Sequence, residues 1–146
     1  MSVKADTVVF DGGCSAEVLV LDEPLSFWGG LDVRTGLIID ERHPQKGRSV
    51  AGRILVMPGT RGSTSAAGAL AESLRLGTGP AAFILPEPDA LVLAAVTIAA
   101  KLYDRVVPVL AIGRAKWSEL TRSKMLRIEA GGNVFPLGEN CSKDTP

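Results

Sequence analysis

The feature that most constrains the fold is an alternation of strand and helix patterns in the middle of the chain. Three short apolar segments, 53–57, 81–85 and 107–112, have the pattern of buried strands, and the segments 66–76 and 90–102 between them have the pattern of helices. Strand–helix–strand crossovers are right-handed in nearly all folds, and they join parallel strands of one sheet. The sequence therefore predicts an α/β protein with a βαβαβ unit.

The two helices of this unit are predicted to differ in burial. In the first, apolar residues recur at spacings of three and four, which leaves Glu72, Ser73 and Arg75 for the opposite, polar face. Gly77 follows where a helix commonly ends on a left-handed residue. The second helix is apolar on most of its faces and is predicted to be well buried.

The first third of the chain has a β-rich pattern. Its strand candidates are 7–10, 17–21, 25–28 and 37–40. Glycine, proline and aspartate separate them, as in small barrels or folded sheets.

The C-terminal part adds a short helix over 115–121 and two strands over 125–129 and 133–135. Residues 1–141 are expected to form a single domain, followed by a disordered tail over 142–146.

Composition and charge exclude several classes of function. Sixteen basic and sixteen acidic residues give a formal net charge of zero, so no basic excess is present to neutralise the phosphates of a nucleic acid. The most apolar stretch, 90–100, is too short to span a bilayer, and no targeting segment is visible. A cytoplasmic protein without a membrane partner is expected. Cys14, Cys141 and His43 are too few and too scattered for a metal site of this chain's own.

The turn at 58–65, Pro-Gly-Thr-Arg-Gly-Ser-Thr-Ser, is the segment that best fits chemistry. It lies between a predicted strand and a helix, at the edge where open α/β sheets hold ligands. Free N–H groups and the positive end of the dipole make a helix start favourable for an anion. Helix capping explains one hydroxyl, on Thr64 or Ser65, but not two glycines, Arg61 and three successive hydroxyls. The residues leave both interpretations open, and no phosphate-binding loop or nucleophile elbow fits.

Two further loops are candidate binding elements. Gly29, Gly30 and Asp32 follow two aromatic residues in the segment 26–32, and His43 precedes a proline. On the residues alone, a structural turn is favoured for the first loop, and a structural or solvated histidine for the second. Both are nevertheless glycine-flanked polar loops of the kind that carries function on a rigid scaffold.

Several of these segments occur together in the order typical of one family. The sequence has Leu-Ser-Phe-Trp-Gly-Gly-Leu-Asp at 25–32, Thr-Gly at 35–36, His-Pro at 43–44, Ala-Gly-Arg-Ile-Leu-Val at 51–56 and Gly-Thr-Arg-Gly-Ser-Thr-Ser at 59–65. This set, with matches extending over about residues 6–112, resembles the small subunit of aconitase X, a family of swivelling domains.

The resemblance implies a swivelling β/β/α domain that closes over a large aconitase-X-like subunit. That subunit would hold an iron–sulfur or iron centre, and this chain would bind no cofactor. The implied reaction is the dehydration of a small hydroxy acid, with Ser63 as the base that removes a proton from carbon. Arg61, Gly62, Thr64 and Ser65 would bind substrate, together with the glycine pair 29–30, Asp32 and His43.

One departure concerns the substrate-binding arginine. Aconitases carry an arginine soon after their paired serines, whereas this chain has Ala66 and Ala67 there, so Arg61 is the candidate substitute. Characterised relatives dehydrate cis-3-hydroxy-L-proline or a phosphorylated mevalonate. A single arginine near the turn favours hydroxyproline. A non-catalytic module that binds a small anion, or a scaffold protein, is the alternative of another class.

Overall fold

A curled, mixed β-sheet with its two longer helices packed on one side forms the frame of the protein. The computed structural model describes residues 2–63 and 65–137. The strands of this part are, in chain order, β1 (Val3–Lys4), β2 (Thr7–Phe10), β3 (Cys14–Val20), β4 (Leu25–Ser26), β5 (Ile54–Val56), β6 (Thr60–Arg61), β7 (Ala82–Leu85), β8 (Val109–Ala111), β9 (Met125–Glu129) and β10 (Asn133–Pro136). The helices are α1 (Ser65–Leu76), α2 (Ala90–Tyr103) and α3 (Trp117–Thr121), the last preceded by a 3₁₀ turn, Arg114–Lys116.

Eight of the strands form one sheet in the order β1-β10-β9-β3-β5-β7-β8-β2, and β4 and β6 pair separately. The strands β3, β5, β7 and β8 run parallel, which confirms the predicted βαβαβ unit and adds β3 to it. The pairs on both sides of this block are antiparallel.

The N-terminal strands draw the two edges of the sheet towards each other. β1 lies on one edge and β2 on the other, although only Ala5 and Asp6 separate them. The Ala5 amide donates to the Gly132 carbonyl and the Asp6 amide to the Ala111 carbonyl, both at 2.8 Å. The sheet must curl for this link to reach both edges, and the curl gives the barrel-like part that was predicted.

Alternation along the parallel strands divides the interior into two cores. Ile54, Val56 and Ile84 face the inside of the curl, where they pack with residues from the antiparallel strands. Leu55 and Phe83 point to the other face and pack against α1 and α2. Because side chains alternate along a strand, three-residue strands can be buried on both faces and hold the two layers together.

The helices agree with the prediction in position but differ in burial. Gly77, at φ +82°, is left-handed as predicted. Ser73, predicted on the polar face, is buried. Its hydroxyl is satisfied there, because it donates to the Leu70 carbonyl at 2.7 Å. Helix α2 is buried along one face only, and it leaves Leu93 and Leu102 exposed. The prediction that α2 is well buried holds for this one face alone, since no second layer covers its outer face in the described part of the chain.

The predicted strand at 37–40 is also wrong. This stretch forms only two isolated bridges, Leu31 with Ile38 and Leu37 with Ser49, inside an irregular loop. Alternation is present, since Ile38 is buried between exposed neighbours, but there is no neighbouring strand to complete a ladder. The predicted tail at 142–146 and Cys141 lie outside the described residues. No helix in the described ranges is long and apolar enough to cross a membrane.

Gly36 is predicted to be essential for holding this loop on the body of the protein. It has φ +81°, and a Cβ there would lie 2.5 Å from the Thr78 carbonyl oxygen. Gly36→Ala should therefore lower the free energy of unfolding by about 1–3 kcal/mol more than Gly47→Ala does. Gly47 is the matched control, because its φ is +90° but nothing lies within 4 Å of its added Cβ. Urea denaturation measures both, and equal losses would refute the contact.

Candidate active site

The turn after β5 lies where the sequence placed it, between a buried parallel strand and the start of α1. Its first half forms β6, which pairs in parallel with β4 in the register Leu25 to Thr60 and Ser26 to Arg61. This pairing joins the glycine-rich segment 26–32 to the turn, which the sequence alone did not show. Gly62 follows this pairing directly. Its φ of +113° favours glycine, and an added Cβ would lie 3.4 Å from the Ser26 hydroxyl oxygen.

Ser63 is exposed and lies two positions before the first residue of α1. Its carbonyl accepts a hydrogen bond from the Ala66 amide at 3.0 Å, which fixes its backbone to the first turn of the helix. Its hydroxyl meets no partner among the described residues, and the Gly62 and Ser63 amides likewise donate to none of them. This hydroxyl and these amides, near the positive end of a 12-residue helix, are groups that an anionic ligand could meet.

The other two hydroxyl residues of the turn have different positions. Ser65 is the first residue of α1 and is exposed, so it lies inside the helix rather than at the capping position before it. Thr64 lies outside the described residues.

Arg61 is the cationic group of the turn. Its guanidinium Nη2 lies 3.7 Å from a Glu23 carboxylate oxygen, and the two side chains are 55% and 51% exposed. Exposed ion pairs at such a distance contribute little to stability. Arg61 is therefore held loosely and can exchange Glu23 for a ligand carboxylate at small cost.

The segment 26–32 forms a tight turn that borders an open cavity. The Ser26 hydroxyl donates to the Trp28 carbonyl at 2.9 Å. Gly30 must be glycine, because a Cβ would lie 2.4 Å from the Ser26 carbonyl oxygen, whereas Gly29 has open space around it. The cavity has a volume of about 570 Å³, and it is lined by Ser26, Trp28, Gly29, Gly30, Ile39, Asp40, Glu41 and Arg42. Trp28, one of the lining residues, is 67% exposed.

Asp32 and His43 make hydrogen bonds within their own loops. The Asp32 carboxylate accepts the Arg34 amide at 3.0 Å, which is the local turn that the residues alone favoured. His43 is buried, and its Nδ1 accepts the Gln45 amide at 3.0 Å. Its Nε2 lies 3.1 Å from the Glu23 carbonyl oxygen. Because Nδ1 accepts, Nε2 carries the proton and donates it, so both ring nitrogens are engaged. His43 thereby fixes the residue that pairs with Arg61.

Asp89 is a residue of this region that sequence reasoning missed. Its Oδ1 accepts the Leu91 and Val92 amides at 2.9 and 3.2 Å, which caps α2. Its Oδ2 accepts the Thr60 hydroxyl at 2.8 Å and the Thr60 amide at 3.3 Å. An aspartate before an apolar helix predicts the cap. No local pattern predicts the bond to a residue 29 positions away.

The described residues do not fit a metal centre of their own. No group of three or more histidine, cysteine, aspartate and glutamate side chains among them is arranged to hold an ion. Cys14 is half-buried, and burial raises the pKa of its thiol, which disfavours the thiolate that binds metals. An iron or iron–sulfur centre on a partner subunit stays a prediction.

The chain is similar in sequence to proteins named as two kinds of dehydratase. Over 120 residues the chain is 38% identical to cis-3-hydroxy-L-proline dehydratase of Pseudomonas aeruginosa, covering 82% of this chain and 20% of that protein. It is 44% identical over 77 residues to the phosphomevalonate dehydratase small subunit of Methanothermobacter thermautotrophicus, covering 53% of this chain and 59% of that one. The chain thus spans about a fifth of the first relative and under two thirds of the second.

The fold has a close counterpart among solved structures. Aconitase X of Thermococcus kodakaraensis, in its holo-form, superimposes with a TM-score of 0.77 at 27% identity, covering 94% of this chain and 98% of that chain. The family model for the aconitase X swivel domain matches residues 2–135, nearly all of the residues described above. With its curled mixed sheet and its glycine- and serine-rich turn before α1, the chain belongs to the aconitase X swivel-domain family.

Proposed function

We propose that this chain is the swivelling part of an aconitase-X-type hydro-lyase that dehydrates a small hydroxy acid, with Ser63 as the catalytic base. The observation that carries the proposal is an exposed serine hydroxyl near the start of α1, close to the loosely held Arg61 and without a partner among residues 2–63 and 65–137. The family membership and the names of the relatives support the reaction class.

The chemistry requires a serine with an activated hydroxyl. An ordinary serine is a weak base, so the alkoxide needs stabilisation by nearby positive groups. The positive end of α1, the Gly62 and Ser63 amides and Arg61 are the groups that supply it here. Ser63 then takes the proton from the carbon next to the carboxylate, a carbon–carbon double bond forms, and hydroxide leaves from the adjacent carbon.

The other half of the site is proposed to lie on a large subunit. An iron or iron–sulfur centre there would supply Lewis-acid chemistry at the leaving hydroxyl. This chain would contribute the base, the carboxylate-binding arginine and the exclusion of water when the two parts close. The surface that meets the partner is proposed to include the turn at 59–65, the segment 27–32 and the loop at His43.

Charge near the turn favours a substrate with one carboxylate and no phosphate. The turn carries one cationic side chain, Arg61. Two acidic residues from outside the turn, Glu23 and Asp89, contact it. A phosphate dianion would meet both acids with little compensation. We therefore propose cis-3-hydroxy-L-proline as the substrate. Phosphomevalonate is the second candidate, because a relative that is 44% identical to this chain is named a phosphomevalonate dehydratase small subunit.

Co-expression with a large aconitase-X-like subunit and anaerobic assay on both substrates tests the proposal. Turnover of hydroxyproline supports it, and turnover of phosphomevalonate alone selects the second candidate. A fully assembled, metal-loaded complex that dehydrates neither would leave a non-catalytic, anion-binding module as the better interpretation.

Ser63→Ala is predicted to lower kcat of the assembled enzyme by about 100- to 10,000-fold, the usual contribution of a general base. Stability should fall by at most about 1 kcal/mol, because the hydroxyl is exposed and unpaired among the described residues. Ser118→Ala is the control, since Ser118 is likewise an exposed serine near the start of a helix. Near wild-type kcat in Ser63→Ala, with full assembly and metal content, would place the base elsewhere.

Arg61→Lys is predicted to raise KM by about tenfold, because lysine keeps the charge but loses the two-pronged contact with a carboxylate. The measurement is steady-state kinetics of the complex. Arg75→Lys is the control, since Arg75 is likewise exposed and paired with a carboxylate, Glu72, at 2.6 Å. An unchanged KM in Arg61→Lys would mean that another cation binds the carboxylate.

His43→Ala is predicted to lower the free energy of unfolding by about 1–3 kcal/mol, because the Gln45 amide and the Glu23 carbonyl lose their partner in a buried place. Its KM should change less than that of Arg61→Lys. Unchanged stability together with a raised KM would instead assign His43 to substrate binding, the role that the resemblance implied. Chemical denaturation and steady-state kinetics provide the two values.

A further inference from the structure

We propose that Asp89 and Thr60 act as a positioning pair that fixes the place of Ser63, an inference that rests on the proposed role of Ser63 as the base. Asp89 lies at the start of α2 and Thr60 in β6, so the pair joins the loops that follow two neighbouring parallel strands, β7 and β5.

The Asp89 carboxylate uses both oxygens, each in a different task. Oδ1 accepts the amides of Leu91 and Val92 and belongs to the cap of α2. Oδ2 accepts the hydroxyl and the amide of Thr60. A cap needs only one oxygen. The second oxygen therefore ties the turn to the end of a 14-residue helix, one face of which is packed in the core.

The pair bears on Ser63 because the turn is short and fixed at both ends. Thr60 is held by Asp89 on one side and by its pairing with Leu25 on the other. Ser63 is held by its carbonyl, which accepts the Ala66 amide of α1. Only Arg61 and Gly62 lie between these anchors, and both are exposed. Loss of the Thr60 anchor would leave four residues attached to the body through β4 and α1 alone.

The position of the base matters more to turnover than to binding. A displacement of about 1 Å in a reacting group can cost about 100-fold in rate. The substrate carboxylate, in contrast, binds to the longer and more adaptable Arg61. Loss of the pair should therefore reduce kcat and leave KM nearly unchanged, a split that general destabilisation would not produce.

Two substitutions each break one of the two bonds of the tie and spare the cap. Thr60→Val keeps the shape of the side chain and loses the hydroxyl, while the Asp89 cap stays intact. Asp89→Asn keeps a good capping oxygen, but its amide group faces the Thr60 N–H as a donor against a donor. Thr60→Ser restores the hydroxyl. Thr97→Val is the control, since Thr97 donates only to the Leu93 carbonyl of its own helix, at 2.6 Å.

The experiment measures kcat, KM and metal content of the assembled complex for these variants, with Ser63→Ala beside them. We expect Thr60→Val and Asp89→Asn each to lose about 10- to 100-fold in kcat with KM within about twofold. Thr60→Ser should recover most of the loss, and Thr97→Val should lose nothing. The double variant Thr60→Val/Asp89→Asn should lose less than the product of the two single losses, because both substitutions act on the same tie.

Each contrary result has a distinct meaning. If Ser63→Ala abolishes turnover while Thr60→Val keeps it, the positioning pair is overturned and the proposed base stands. If Thr60→Ser is as slow as Thr60→Val, the hydroxyl contact is not the cause and the pair is again overturned. If Ser63→Ala itself keeps its turnover, the proposed base fails, and the positioning inference fails with it.

Discussion

The parallel arrangement of β3, β5 and β7 is the constraint on which the candidate site depends. Parallel strands end at the same edge of a sheet, so the segments that follow them must meet there. Glu23 follows β3, the turn with Arg61 and Ser63 follows β5, and Asp89 follows β7. Because β5 is the middle strand of the three, its turn receives one neighbour from each side. Strand order thus determines which segments meet at the candidate site, and the side chains then determine its chemistry.

The two cores give this edge its rigidity. The strands β5, β7 and β8 are buried on both faces, by the inside of the curl on one face and by α1 and α2 on the other. The residues that the turn contacts, in β4, at Glu23 and at Asp89, all belong to or adjoin elements that are anchored in these cores. The groups most suited to chemistry, the Ser63 hydroxyl and the Arg61 guanidinium, are the ones left exposed or loosely paired. A rigid body with a few free polar groups at one edge suits a part that closes on another.

The sequence predicted the elements that carry a strong local pattern and missed those defined by a distant partner. The strands β5, β7 and β8 and the helices α1 and α2 lie within two residues of their predicted bounds, because burial on both faces and helical spacing are visible locally. The strands β1 and β6 have two residues each and exist through pairing with Val134 and Leu25, which no local pattern shows. The turn at 58–65 was found from its composition. Asp89 was not linked to it, because the hydrogen bond joins two separate loops.

The pairing of β1 with β10 has a consequence for how such a part is built into larger assemblies. Val3 lies opposite Val134, so the beginning and the end of the described fold lie side by side at one corner of the sheet. A covalent connection made at either end would therefore attach the body at the same point and leave the opposite edge free. Fusion into one long polypeptide, before or after the partner sequence, would preserve the same pivot. This geometry agrees with the occurrence of the domain as a fifth of one relative and as the main part of a small subunit in another.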